Sequence, residues 1–206
     1  MHIKKVITAG KAIDETDKVL IMIHGRGGSA QDILSLAAHL NTNDYALLAP
    51  QATNNTWYPT TFLAAPAINE PWLSSAVEVI DEVVADVVAK GILKENIFFL
   101  GFSQGACLTL EYVTRNATKY GGVAAFTGGL IGDRIYAENY SGDFSGTPIF
   151  IGTSNPDPHV PVSRVKETTA VLESMNAEVF EKIYPGMGHT ISQDEIEKAN
   201  TLIFKK

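Results

Sequence analysis

The sequence predicts an α/β fold in which helices cover both faces of a mainly parallel, twisted sheet. Three observations carry this prediction: apolar runs of strand length recur along the chain, most of them lack polar alternation, and stretches with helical spacing separate them. A strand exposed to water on one face would alternate polar and apolar residues, so these strands are expected to be buried on both faces.

Six short runs rich in β-branched and aromatic residues predict strands, and five longer stretches with apolar residues three and four positions apart predict helices. The predicted strands span residues 19–23, 45–49, 97–100, 123–127, 149–152 and 178–184. The predicted helices span residues 30–40, 73–90, 105–116, 164–175 and 195–204. The last strand alternates as an edge strand does, and a pair of strands within residues 1–12 is expected to form an antiparallel edge.

Length and composition limit the classes of protein to which the chain can belong. With 206 residues, of which 45% are hydrophobic and 19% charged, we expect one domain spanning residues 1–206. The 23 acidic and 16 basic residues give a net charge of −7, and neither sign forms a run longer than two residues. The sequence therefore argues against nucleic-acid and anionic-membrane partners.

The N-terminal segment and the single cysteine indicate where the protein works. The first 18 residues carry charges where a signal peptide needs an apolar stretch, and Cys107 has no second cysteine with which to form a disulfide. No apolar run approaches the roughly 18 to 20 residues of a membrane-spanning helix. We expect a cytoplasmic protein without a membrane span.

The motif GFSQG, residues 101–105, joins a predicted strand to a predicted helix. So sharp a reversal forces Ser103 into a strained backbone conformation and requires Gly101 and Gly105 to lack side chains. The strain turns the Ser103 hydroxyl outward and sets the N–H of Gln104 at a helix start, which favours an anion. A chance turn is the alternative, but the strand–turn–helix context favours a nucleophile at Ser103 and an oxyanion donor at Gln104.

A second glycine-rich turn, HGRGG at residues 24–28, follows another apolar strand. Its glycines let backbone N–H groups face a ligand, and Ser29 offers an N-cap to the next helix. We assign the second oxyanion donor to the N–H of Arg26, with Gly27 as the rival. A tight turn that binds no ligand is the alternative.

A serine nucleophile needs a histidine base, and the chain has five histidines. His2 and His39 are expected to be solvated, and His24 is expected to pack or form hydrogen bonds within its own loop. His189 follows the last strand in GMGH, which places it at a carboxyl strand end. It is the candidate base, and a surface histidine without a role is the alternative.

The histidine in turn needs an acid to hold its tautomer. Asp157 follows the predicted strand 149–152, and Pro156 and Pro158 make its loop rigid. Asp133 is the rival, because a neighbouring strand can also deliver the acid of a triad. His159, two residues from Asp157, is interpreted as part of a pocket wall or as a support for its loop, and not as the base.

Aromatic residues in the segment 53–71, which lacks a regular period, are candidates for the wall of a substrate pocket. Their rings offer a large apolar surface with few rotatable bonds. The candidates are Trp57, Tyr58 and Phe62, with Trp72 just beyond the segment. Packing of a long loop against the body of the protein is the alternative.

Neither a metal nor a cofactor is expected. The histidines, carboxylates and Cys107 show no metal-ligand spacing, and neither glycine motif carries the Lys-Ser/Thr of a phosphate-binding loop. Cys107 lies one helical turn beyond Ser103 and towards the core, so it is interpreted as inert packing.

With these motifs in order, the chain resembles the α/β-hydrolase superfamily and, within it, the small phospholipase/carboxylesterase family that includes acyl-protein thioesterases. The resemblance rests on HGRGG, GFSQG, DPHVP and GMGH and covers nearly the whole chain. It implies the α/β-hydrolase fold without a separate cap domain. It also implies Ser103 as nucleophile, Asp157 as acid, His189 as base, and backbone donors at Arg26 and Gln104.

The expected function is hydrolysis of carboxylic esters through an acyl-enzyme, without a cofactor. Thioesterase-type members typically have leucine at the position of Arg26, which argues against a preference for long acyl chains. Because the chain has no room for a separate cap domain, we expect an open site that accepts small or flexible esters. An acyl thioesterase or lysophospholipase is the alternative, followed by a binding protein that has lost turnover. The expected partner is a small ester molecule, and the sequence leaves a homodimer open.

Overall fold

The computed structural model describes residues 1–205, in which seven strands form one sheet. The strands are β1 (Val6–Gly10), β2 (Lys18–Ile23), β3 (Tyr45–Pro50), β4 (Ile97–Phe102), β5 (Gly122–Phe126), β6 (Pro148–Asn155) and β7 (Glu178–Pro185). Their order is β1-β3-β2-β4-β5-β6-β7, and every neighbouring pair is parallel except β1 with β3. All six strands predicted from the sequence are present.

Helices lie on both faces of the sheet, as the sequence predicts. They are α1 (Ala30–Leu34), α2 (Pro66–Asn69), α3 (Trp72–Ala89), α4 (Gln104–Arg115), α5 (Val162–Ser174) and α6 (Gln193–Leu202). Within residues 1–205, no helix combines the length and the apolar character needed to cross a membrane.

Strand β2 shows why the apolar runs do not alternate. Val19, Ile21 and Ile23 pack into the core under α3, α4 and α5, while Leu20 and Met22 pack into the core under α1 and α6. Residues 19–23 of this strand are therefore each buried on one face or the other, and a polar residue there would lie unpaired in either core.

Three local predictions need correction. The predicted helix 30–40 is α1 followed by a 3-10 helix over residues 35–39, and the 53–71 loop contains both a 3-10 turn at residues 53–55 and the short helix α2. The predicted pair of strands in residues 1–12 is a single strand, β1. Before it, His2 instead contacts the 53–57 loop.

The prediction that His2 is solvated is wrong. Its ring packs against Trp57 and Trp72, with ring centroids 5.4 and 5.2 Å away. Nδ1 accepts a hydrogen bond from the N–H of Thr53 at 3.1 Å, so Nε2 donates to the carbonyl of Trp57 at 2.8 Å. Burial lowers the pKa of His2, which keeps the ring neutral. His39 is exposed, as predicted.

The parallel strands bring four loops to one edge of the sheet. The loops that follow β2, β4, β6 and β7 carry the glycine-rich turn, Ser103, Asp157 and His189 respectively. The register pairs Ile23 at the end of β2 with Gly101 near the end of β4, so the first two loops start side by side. In open α/β sheets this edge is where ligands bind.

Candidate active site

The turn at Ser103 has the strained backbone that the sequence predicts. Ser103 has φ 53° and ψ −119°, outside the conformations that a side-chain-bearing residue normally adopts. A Cβ on Gly105 would meet the carbonyl oxygens of Ile23 and His24, and one on Gly101 would meet Gly105 and Thr109. The turn therefore fits only because both flanking positions are glycine.

Ser103, His189 and Asp157 form a line of hydrogen bonds. The distance from Ser103 Oγ to His189 Nε2 is 2.8 Å, and the distance from His189 Nδ1 to Asp157 Oδ2 is also 2.8 Å. An ionised carboxylate can only accept, so Nδ1 carries the proton and the Ser103 hydroxyl donates to Nε2. This tautomer leaves Nε2 ready to take the hydroxyl proton.

Asp157 forms hydrogen bonds with two backbone N–H groups as well as with His189. Its Oδ1 accepts hydrogen bonds from the backbone N–H groups of His159 and Val160, each at 2.8 Å, and its side chain has no exposed surface. Burial raises the pKa of Asp157, but the donors from His159, His189 and Val160 outweigh it, so the pKa lies below its ordinary value. The carboxylate is therefore charged and fixed in orientation.

The rival acid, Asp133, lies elsewhere. It is exposed, and its Oδ1 accepts a hydrogen bond from the hydroxyl of Tyr136 at 2.8 Å. This bond, the first of several favourable contacts, lowers the pKa of Asp133, which is thus charged at the surface rather than beside the imidazole.

The loop that carries His189 is fixed by residues that the sequence reasoning missed. The Oγ of Ser154, near the end of β6, accepts a hydrogen bond from the N–H of Gly188 at 2.9 Å. The His189 ring packs against those of Phe102 and His159, with centroids 5.4 and 4.9 Å away. Two features of the sequence could have pointed to these residues: Phe102 is next to Ser103, and Ser154 lies near the end of the strand that Asp157 follows.

Two backbone N–H groups beside Ser103 have no acceptor among residues 1–205. Within residues 1–205, neither the N–H of Arg26 nor that of Gln104 donates to a protein atom, whereas the N–H of Gly27 donates to Asn55 at 2.7 Å. The turn is close to the serine, since a Cβ built on Gly25 would lie 3.4 Å from Ser103 Cβ. The occupied N–H of Gly27 leaves Arg26 as the donor that fits an oxyanion.

A cavity of about 480 Å³ adjoins Ser103 and His189. Tyr58, Phe62 and His159 line it, as expected, together with the intervening residues 59–61. Trp57 does not line it, contrary to expectation. Its side chain is fully buried, and its indole N–H donates to the carbonyl of His24 at 2.9 Å, so it supports the wall from behind.

Comparison with known proteins decides the family. The family model described as Phospholipase/Carboxylesterase matches residues 4–206. The chain belongs to the phospholipase/carboxylesterase family. A crystal structure of a phospholipase/carboxylesterase from Dyadobacter fermentans DSM 18053 is 56% identical, with a TM-score of 0.98 over 99% of this chain and 98% of that one. The α/β-hydrolase fold is thereby confirmed.

Curated relatives of this phospholipase/carboxylesterase chain carry two kinds of name. Acyl-protein thioesterase 1 of Saccharomyces cerevisiae is 30% identical over 169 residues, which are 81% of this chain and 73% of the yeast protein. A probable carboxylesterase of Oryza sativa subsp. japonica is 36% identical over 121 residues. That match covers 59% of this chain and less than half, 46%, of the rice protein.

Two further residues near the site, His24 and Cys107, have surroundings that indicate a structural role in this family member and not a catalytic one. His24 is buried, donates from Nδ1 to the carbonyl of Gly25 at 2.8 Å, and accepts at Nε2 from the N–H of Ala52 at 3.1 Å. Cys107 is buried and lines the cavity, and burial raises its pKa to about 12. A thiol that stays protonated is a poor nucleophile.

No group of three metal-ligating side chains occurs in the part of the chain that the structure describes.

Replacing Asp157 by asparagine is expected to lower kcat for ester hydrolysis by about 10⁴-fold, because an amide nitrogen facing Nδ1 favours the wrong imidazole tautomer. The amide oxygen still accepts the N–H groups of His159 and Val160, so the loop keeps its shape. Steady-state kinetics with p-nitrophenyl butyrate measures the effect.

The matched control is Asp133→Asn, which changes an exposed carboxylate outside the cavity and should leave kcat at the wild-type value. If Asp133→Asn lowers kcat more than Asp157→Asn does, the acid has been assigned to the wrong loop.

Proposed function

We propose that this protein is a serine hydrolase that cleaves carboxylic ester bonds of small or flexible substrates through an acyl-enzyme. One observation carries the proposal: the hydrogen-bonded line of Ser103, His189 and Asp157 ends beside two backbone N–H groups that have no acceptor in the described part of the chain. A single buried cysteine suits the reducing cytoplasm, where we place the enzyme.

In the first half of the reaction, Ser103 Oγ attacks the carbonyl carbon of the ester while His189 Nε2 takes the hydroxyl proton. The carbonyl oxygen becomes an oxyanion, which the N–H groups of Arg26 and Gln104 stabilise. Asp157 stabilises the imidazolium that forms. The imidazolium then gives its proton to the leaving alcohol, and the acyl group remains on Ser103.

In the second half, water takes the place of the alcohol. His189 removes a proton from the water as it attacks the acyl carbon, and the same two N–H groups hold the second oxyanion. The tetrahedral intermediate collapses, Ser103 recovers its proton from His189, and the carboxylic acid is released. Every proton and bond is accounted for by the side chains and water, so the proposal needs no cofactor.

The wall of the cavity favours small or flexible esters. Tyr58 and Phe62 are almost fully buried, so they present little surface to a ligand and close the cavity on one side. A volume of about 480 Å³ lies in the lower part of the range of small-molecule sites. No cap domain covers it within residues 1–205, so the alcohol part of the ester can extend into solvent.

Hydrolysis of thioesters is the second candidate, and the similarity to yeast acyl-protein thioesterase 1 favours it. The same groups would act in the same order, because a thioester carbonyl also passes through an oxyanion. A thioester substrate differs from an ester in its leaving thiol, and for acyl-protein thioesterases also in its longer acyl chain. Thioesterase relatives typically have leucine in place of Arg26.

Replacing Ser103 by alanine is expected to lower kcat by about 10⁶-fold, since no acyl-enzyme can form and His189 has no hydroxyl to deprotonate. The folded structure should persist, because only one hydroxyl is removed. Ester hydrolysis retained by a pure Ser103→Ala sample contradicts the proposal. A fluorophosphonate probe separates an enzyme from a mere binding protein, which would form no adduct at Ser103.

The acyl-chain preference is tested with p-nitrophenyl acetate, butyrate, octanoate and palmitate. We expect kcat/KM to be highest for the short esters and to fall with chain length, because the cavity is closed by buried aromatic residues. A maximum at palmitate would instead make a thioesterase or lysophospholipase the better assignment.

A further inference from the structure

Arg26 has a side chain whose contacts the proposed mechanism does not use. Its guanidinium donates from Nη1 to the carbonyl of Pro59 at 3.0 Å, and from Nη2 to the carbonyls of Tyr58 at 2.9 Å and Thr60 at 2.5 Å. Residues 57–62, which we call the wall loop, thus provide three successive acceptors for one side chain. No carboxylate within residues 1–205 pairs with this guanidinium.

The wall loop is anchored independently of Arg26. The side-chain amide of Gln104 accepts from the N–H of Trp57 at 2.9 Å and donates to the carbonyl of Tyr58 at 2.8 Å. Asn69 Oδ1 accepts from the N–H of Thr60 at 2.9 Å, and the carbonyl of Phe62 accepts from Gly132 at 2.7 Å. The wall loop is therefore held in place by hydrogen bonds that do not involve Arg26, and its carbonyl groups can fix the position of a side chain that binds them.

The turn that contains Arg26 is held by backbone hydrogen bonds on both sides of this residue. Arg26 stands between Gly25 and Gly27, and glycine gives a backbone more freedom than any other residue. The N–H of Gly27 donates to Asn55, and that of Gly28 donates to Gly25 at 3.1 Å. The carbonyl of Gly25, which belongs to the same planar peptide unit as the N–H of Arg26, also accepts from His24 Nδ1 at 2.8 Å. Within residues 1–205 the N–H of Arg26 itself has no protein acceptor, so the contacts of its side chain with the wall loop add a restraint on the position of its Cα.

We propose that the guanidinium of Arg26 is a positioning group that holds its own backbone N–H where the oxyanion forms. The inference rests on the proposed function, in which this N–H stabilises the oxyanion. An oxyanion donor acts only when it is fixed at hydrogen-bond distance from the developing charge. By binding the wall loop, the Arg26 side chain fixes the position of its own N–H and so affects the stability of the oxyanion indirectly. The planar fork of a guanidinium suits three neighbouring carbonyls, which an ammonium group cannot bridge in the same way.

The experiment compares Arg26→Met and Arg26→Lys with wild type, using p-nitrophenyl butyrate. Arg26→Met should lower kcat by about 10-fold or more, towards the roughly 10²- to 10³-fold that loss of a whole donor costs, while KM stays near the wild-type value. Arg26→Lys should recover only part of the loss. Arg134→Met, which changes an exposed arginine paired with Glu138, is the matched control and should keep wild-type kinetics.

A second readout separates positioning from a general structural role. Butylboronic acid forms a tetrahedral adduct with a serine nucleophile and mimics the oxyanion. Its inhibition constant should rise in Arg26→Met by the same factor by which kcat/KM falls, and the melting temperature should not change, because Arg26 is exposed. A fall in kcat/KM without a matching rise in the inhibition constant would overturn the proposal.

A third readout tests whether the guanidinium instead binds a charged substrate. Ethyl hexanoate and monoethyl adipate have acyl chains of equal length, and only the second carries a carboxylate. The proposal expects Arg26→Met to slow both esters by the same factor. A loss confined to the anionic ester, or wild-type kcat in Arg26→Met, would overturn it.

Failure of this inference is distinct from failure of the proposed function. If Ser103→Ala is inactive while Arg26→Met behaves as wild type, only the role of the guanidinium is lost. If Ser103→Ala remains active, the oxyanion itself is misplaced and both proposals fall.

Discussion

The close packing of helix α4 against the end of strand β2 is the contact on which the rest of the site depends. Gly105 lies so near the carbonyls of Ile23 and His24 that no side chain fits between them. This approach brings the glycine-rich turn alongside Ser103 and leaves the serine no ordinary backbone conformation. Strain of this kind costs about 1–3 kcal/mol and persists only where the surrounding structure imposes it.

The surrounding structure imposes it through the burial of α4. All but one of its twelve residues are buried, and they pack into the core on one face of the sheet. Burial of apolar side chains stabilises a fold by about 25 cal/mol per Å² of area removed from water, so a whole buried helix outweighs one strained residue. The energy of the core thus holds a hydroxyl outward at the carboxyl edge of the sheet.

Parallel pairing supplies the other half of the site. Because β4, β6 and β7 run in the same direction, the loops that carry Ser103, Asp157 and His189 end at one edge although 86 residues separate the first from the last. Hydrogen bonds within and between these loops then fix the orientation of the side chains. The N–H of Val160 donates to Asp157, and the N–H of Gly188 donates to Ser154. The sheet gives the coarse position and the loops give the fine one.

These two layers explain what the sequence predicted and what it missed. Apolar runs without alternation and the pattern G-x-S-x-G are local signals, so they predicted the strands, the layered sheet and the strained turn. The placement of Trp57 behind the wall, the contacts of His2 and the side-chain bonds of Arg26 and Gln104 were not predicted. The bonds of Arg26 and Gln104 join residues 32 to 47 positions apart and depend on the path of an irregular loop, which no local pattern specifies.

The most direct test is a crystal structure of the protein after reaction with a small alkyl fluorophosphonate, whose phosphorus mimics the tetrahedral carbon. The account predicts phosphorus bonded to Ser103 Oγ, with the phosphonyl oxygen within hydrogen-bond distance of the N–H groups of both Arg26 and Gln104. An adduct on another residue, or a phosphonyl oxygen that faces away from both N–H groups, would contradict it.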